Sequence, residues 1–288
     1  MPDTTYRGGP RAPHRACGLI RGLLRALPLV AQLACDARAE TITQARYAEP
    51  VERYGHFAPG RPHEYARLTV VTDDARTLGF ELPPDEVFED IAPRLVNLST
   101  GAPPQLLAII SSRQGGARLA LIQLRDGVLA IDAQSRPIGT PMRWLNPVGV
   151  VDLDGDGEAE IAAVITPHLG GPLKVYRRVY RRVTRQGGAE LVEIASLAGF
   201  SNHLYGSSEL ALSIPLTVAG AMRLVVPDAT RTHLRVVGML RGRLVETARC
   251  ALTAPINGAI RILSPGVVSV GLASGRERVA LGDCPAPP

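Results

Sequence analysis

Aromatic side chains are scarce: one Trp, seven Tyr and four Phe in 288 residues. Proteins that hold single-stranded nucleic acid stack bases on aromatic platforms, so this shortage argues against a nucleic-acid partner. Catalytic signatures are missing as well. The chain has no G-x-S-x-G elbow, no H-E-x-x-H pair and no glycine-rich phosphate loop ahead of a helix, which removes the sequence-visible routes to serine hydrolases, zinc proteases and P-loop enzymes. Asp85, Glu86, Glu89 and Asp90 follow Pro83-Pro84 without a visible partner and read as a solvated acidic loop. A glycosidase needs two acids across a cleft, and no spacing here announces them. The expectation is a non-enzymatic binding module, with a periplasmic hydrolase or lyase as the alternative.

Long apolar runs are absent too. The run from Ala26 to Ala34 falls well short of the roughly 20 residues that span a bilayer, so no integral membrane span is expected. It follows a basic lead and precedes Ala37-Arg38-Ala39, the pattern of an export signal cut after Ala39. The expected division is a leader over residues 1–39 and one domain over residues 40–288, in the periplasm or outside the cell. Two alternatives stay open: a lipoprotein anchored at Cys35, although Gln32 stands where such signals prefer Leu, and a cytoplasmic chain with a ragged start.

The net charge of +5 gives a misleading picture of a basic protein. Residues 1–39 carry six arginines against two aspartates, which leaves about one positive charge for the rest and weakens any electrostatic case for nucleic acid. Cys17 and Cys35 leave with the leader. Cys250 and Cys284 remain, and in an oxidising compartment they are expected to form a disulfide pinning the C-terminal tail.

The informative stretch is VDLDGDGEAEIAAVI, Val151 to Ile165. Asp152, Asp154 and Asp156 alternate with Leu153, Gly155 and Gly157, so a tight backbone can aim three carboxylates inward while glycines take the unusual dihedrals. Glu160 closes the set and the Glu158 carbonyl offers a further oxygen. Hard oxygen donors without a nearby His or Cys favour one calcium ion. An EF-hand is excluded, because Ala163 stands where its bidentate Glu belongs and IAAVIT reads as strand. The D-x-D-G-D-G-x-x-E loop running into a strand resembles the VCBS/FG-GAP (integrin-alpha-like) type of β-propeller repeat, firmly over Asn146 to Ser196. That resemblance implies that the loop joins the first two strands of a blade and that the ion fastens the fold.

Strand rhythm extends the pattern. LVNL, QLLAIISS, ARLALIQL and GVLAIDA form one four-strand unit; VGVVDL, EIAAVIT, LKVYRRVYRRV and AELVEIAS the next; LALSIPL, MRLVVPDA, HLRVVGML and RLVETAR a third. The late AIRILSPGVVSVGLAS and the early YARLTVVTDDARTLGFELP look like halves of one composite blade. The expected fold is therefore all-β, a four-bladed β-propeller closed by N- and C-terminal strands, with five blades as the alternative if residues 41–90 form a blade of their own. The loops aligned with the acid loop, through Asn97, Ser99, Gly101 and Gln105 and through Ser213, Pro215, Thr217 and Ala221, lack the charge for a divalent ion.

Two further features bear on partners. His168, Asn202, His203 and Tyr205 sit in glycine-containing turns, and inter-strand loops of a propeller gather on two faces, so these four are a candidate ligand face for an unknown protein or glycan. The competing reading is that each His bonds loop backbone. Lys174, Arg177, Arg178, Arg181, Arg182 and Arg185 crowd one hairpin, which fits either an anionic partner or protection of an exposed outer strand. The expected state is a monomer.

Overall fold

The computed structural model describes residues 40–181 and 188–287. The expected leader with Cys35, and Arg182 and Arg185 of the basic run, lie outside the described residues. The strands are β1 (Ile42–Val51), β2 (Glu64–Thr72), β3 (Thr77–Glu81), β4 (Glu86–Phe88), β5 (Arg94–Val96), β6 (Gln105–Ser112), β7 (Gly116–Arg125), β8 (Val128–Gln134), β9 (Leu145–Val151) and β10 (Glu160–Ile165). After them come β11 (Leu173–Arg181), β12 (Gly188–Leu197), β13 (Ile214–Val218), β14 (Ala221–Pro227), β15 (His233–Leu240), β16 (Arg243–Ala251), β17 (Ile256–Ser264), β18 (Val267–Leu272) and β19 (Gly275–Ala280). Among the described residues the fold is all-β: no α-helix appears, only the single 3-10 turns Pro167–Leu169 and Leu281–Asp283. No helix among these residues is long and apolar enough to cross a membrane.

Every pairing is antiparallel. One large sheet runs β1-β2-β4-β6-β7-β8, with β3 on β2 and β5 on β6; the others run β12-β11-β10-β9, β13-β14-β15-β16 and β17-β18-β19. The three repeat units expected from strand rhythm correspond to β5–β8, β9–β12 and β13–β16. Their second strands are continuous apolar runs for a physical reason. Side chains alternate across a strand, and a strand buried on both faces needs apolar residues at every position.

The cores show that alternation. In β6, Leu107 and Ile109 face a cluster shared with Ile161, Ala163 and Ile165 of β10, while Leu106, Ala108 and Ile110 face a cluster shared with Leu68 and Val70 of β2. In β10, Ala162 and Val164 turn the other way, onto Leu224 and Val226 of β14. In β14, Val225 packs with Val268 and Val270 of β18. Consecutive sheets are thus packed face to face in chain order, with the three-residue β4 joining the β1–β3 layer to β6.

The composite blade expected from N- and C-terminal strands is not formed. β1 pairs with β2 from Ile42↔Thr72 to Val51↔Glu64, β3 takes the outer part of β2's other side, and β19 completes the C-terminal sheet. The early strands pair within the first sheet and the late strands within the last. No strand pairing, and no buried apolar cluster, joins β1–β3 to β17–β19 among the described residues. A second correction concerns the basic hairpin: β11 is an internal strand between β10 and β12, so its charges do not guard an outer edge.

Cys250 on β16 and Cys284 after β19 lie at disulfide distance, Sγ to Sγ 2.03 Å with Cα atoms 4.9 Å apart, and tie the last two sheets beside the core that they share. Closing a loop of this length restrains the unfolded chain by about 3–4 kcal/mol. The purified chain should show no reactive thiol from this pair until it is reduced, and reduction should lower its melting temperature by roughly 6 °C or more. Two reactive thiols in the native state, or an unchanged melting temperature, would contradict this.

Candidate functional site

The acid loop connects β9 to β10. Gly155 and Gly157 have φ of 82° and 91°, values that residues with a Cβ seldom adopt. That freedom lets the loop fold onto its own side chains. Asp152 Oδ1 accepts from Gly155 N at 2.7 Å, Asp152 Oδ2 from Gly157 N at 3.0 Å, and Asp156 Oδ1 from Glu158 N at 2.9 Å. Asp152, Asp154 and Asp156 each bring a carboxylate oxygen within 4.8 Å of the others. Ala159 N donates to Leu98 O at 2.7 Å and Glu158 bridges Ser99, so the loop is stitched to the neighbouring β5–β6 loop, one of the two that lack its charge.

Glu160 does not join this set. It is fully buried, its Oε2 accepts from Leu153 N at 2.9 Å and its Oε1 from Arg177 Nε at 2.9 Å. The Glu158 side chain is exposed and also outside the converging group. Arg177 had no part in the sequence reading of the loop. From β11 it pairs with Asp154 Oδ2 at 2.7 Å and Asp156 Oδ2 at 3.1 Å, and the bonds to Glu160 first and Asp154 second raise its pKa further, holding it charged. Three hard, partly exposed carboxylates fit a calcium ion by chemistry. Four acids against one guanidinium leave negative charge to spare, but the ion would share Asp154 and Asp156 with Arg177.

A second constellation lies where several inter-strand loops meet. Glu89, placed by sequence in a solvated loop, is fully buried. His56 Nδ1 bonds its Oε1 at 2.7 Å, Ser111 Oγ donates to its Oε2 at 2.6 Å, and Trp144 Nε1 donates to its backbone carbonyl at 2.7 Å. A carboxylate on Nδ1 fixes the ring's orientation and leaves Nε2 for other work. Asp90 is buried as well and is paired with Arg94. Burial raises the Asp90 pKa, and the Arg94 charge opposes that rise.

The four residues expected to form a ligand face divide into two pairs. His168 and Tyr205 stand beside His56, with ring centroids 5.4–6.4 Å apart, and Tyr205 is 58% exposed while its hydroxyl donates to His56 O at 2.6 Å. Asn202 and His203 are fully buried and do not reach that face. Asn202 Nδ2 donates to Ser213 Oγ at 2.9 Å, and His203 Nε2 donates to Ser207 O at 2.9 Å with its ring against Trp144. The His203 bond is to loop backbone, as in the competing reading. His56 was missed because nothing in its surroundings in the chain announces Glu89, which lies 33 residues away.

The described side chains of the basic run are paired: Lys174 with Glu193, Arg177 with the acid loop and Arg178 with Asp132. Neither the protein-family models nor the curated proteins give a match to this chain.

Burial pushes the His203 pKa down to about 4; the nearby His168 charge lowers it too, against the Ser207 bond. His168 is lowered as well, by burial first and then by the charges of His56 and Arg143. The unfolded imidazole takes up its proton near pH 6.5. Between that value and about 4 the unfolded chain binds more protons, so stability falls as pH drops through this window, by up to about 3 kcal/mol from His203. Thermal melts from pH 7 to pH 4 should show this loss, and His203→Gln should flatten it. A variant with the same pH dependence as the parent would contradict the assignment.

Proposed function

We propose that the chain is an exported, calcium-binding β-propeller of VCBS/FG-GAP type that acts as a non-enzymatic binding module. The observation that carries this reading is the acid loop: three convergent aspartates at the β9–β10 bend, with the same loop bonded across to Leu98 and Ser99 of the preceding sheet. An ion held there would fasten one blade to the next. The successive face-packed layers β1–β3, β5–β8, β9–β12, β13–β16 and β17–β19 favour five blades over four. The N-terminal signal pattern and the Cys250–Cys284 pair support an oxidising, extracytoplasmic location, with the exposed Tyr205 and the half-buried His168 forming the accessible part of the ligand face of a monomer and His56 buried beside them.

If the ion serves the fold, saturating calcium raises stability by mass action, about 2.7 kcal/mol at one hundred times the dissociation constant. For a domain of this size that corresponds to roughly 5–10 °C. The purified chain should melt higher in millimolar calcium than in excess chelator, and Asp154→Asn should abolish the difference. Identical melts in calcium and chelator would overturn the calcium reading.

One observation favours a second reading, a hydrolase or lyase with its site at the loop end. A buried Glu89 orienting His56, with His168 and Tyr205 alongside, is an arrangement suited to a general base. A panel of ester, phosphoester and glycoside substrates distinguishes the two. Turnover that Glu89→Gln lowers by 10²-fold or more in a variant that still melts cooperatively supports the enzyme, and no turnover on any substrate supports the module.

A further inference from the structure

Two adjoining hollows open between the β5–β8 layer and the β9–β12 sheet, of about 570 and about 380 Å³. Both volumes fall in the range of roughly 300–1,000 Å³ typical of small-ligand sites. Gln123, Arg178 and Tyr180 line both, so the two form one groove with those residues at its waist. Tyr180 is 72% exposed, in a chain with very few aromatic rings to leave in water.

The ring is held from below. Arg178 Cζ lies 4.1 Å from the Tyr180 centroid, and the same guanidinium forks onto Asp132 of β8, with Nη2 to Oδ1 at 2.8 Å. Gln105 Nε2 reaches Asp132 Oδ2 at 3.3 Å, while Gln105 Oε1 is buried without a protein donor. One face of the ring is therefore backed by a locked cation, and no ring or cation among the described residues stacks on the other. A platform fixed before its ligand arrives loses little entropy on binding.

Among the described side chains, the charges around the groove cancel. Arg125, Arg177 and Arg178 stand against Asp132, Asp156 and Glu158, and Arg177 and Arg178 are already engaged with carboxylates. A polyanion would meet three acids there, and two of the three guanidiniums are already held by carboxylates. A nucleic-acid strand would find a single stacking ring where it needs several. A lone aromatic face edged by planar amide, carboxylate and guanidinium groups matches a ligand with an apolar C–H face and a rim of neutral hydroxyls.

We propose that this groove binds a neutral oligosaccharide, with a sugar ring stacked on the face of Tyr180 away from Arg178 and its hydroxyls bonded by Gln123 and the Arg178–Asp132 pair. The inference deepens the binding-module reading by naming its ligand class, and it rests on that reading for context alone. The sugar contacts are Tyr180, Gln123, Arg178 and Asp132; of the three aspartates that would hold calcium only Asp156 borders the groove, and the loop-end rings take no part.

The test titrates the purified chain with maltohexaose, laminarihexaose, cellohexaose and chitohexaose, and with hexagalacturonate as the acidic arm, each in millimolar calcium and in chelator. Saturation transfer to sugar protons and titration calorimetry report binding. At least one neutral hexasaccharide should bind, more tightly than the acidic one. Tyr180→Ala should weaken it about tenfold, equivalent to 1.4 kcal/mol, without changing the melting temperature, and Tyr180→Trp should restore it. No binding of any neutral sugar by folded protein, a preference for the acidic sugar, or equal binding by Tyr180→Ala would overturn the proposal. A calcium-dependent melt without sugar binding rejects this inference and leaves the calcium module. Tyr180-dependent sugar binding without a calcium effect does the reverse.

Discussion

Ile109 and Ile110 are neighbours in β6 that point opposite ways, one into the core shared with β10 and the other into the core shared with β2. The same division recurs at Ala163 and Val164 in β10 and at Val225 and Val226 in β14. Each central strand therefore serves two cores, and a sheet removed from the series would expose apolar surface on both of its neighbours. Fully burying one such side chain is worth about 1.5–3 kcal/mol. The series of layers, more than any one sheet, is the unit that has to fold, and it sets where every loop emerges.

Loop position then decides chemistry. The acid loop leaves the β9–β10 bend beside the β5–β6 loop and binds to it through Leu98 and Ser99. At the β10–β11 connection, His168 is brought against His56 and Tyr205, residues 112 and 37 positions away in the chain. Arg177 connects these levels: a residue of β11, it reaches back across β10 to Glu160 and to the aspartates. The protein carries its own cation next to the place where a metal ion is expected, which lowers the repulsion among the carboxylates whether or not an ion is bound.

Much of the architecture was legible because continuous apolar runs are local: LLAII, IAAVI and LVV announce strands buried on both faces. Asp152, Asp154 and Asp156 were legible for the same reason, since their geometry follows from residues within five positions. What depended on distant partners was not. Glu160 looked like a ligand until Arg177 claimed it, Glu89 looked solvated until His56 and Ser111 enclosed it, and Asn202 and His203 looked exposed until Ser213, Ser207 and Trp144 buried them. The composite blade failed as an expectation because β1 and β19 are polar strands whose weak apolar pattern hid that they add to the first and last layers.

The most direct measurement of the central claim, that double-sided strands make these layers one cooperative body, is native-state hydrogen exchange resolved to individual amides. Amides of β6, β10 and β14 should share one largest opening free energy, equal to that of global unfolding. If the β9–β12 sheet exchanged at a much lower free energy than the layers on both sides of it, the layers would be separable and the account would be wrong.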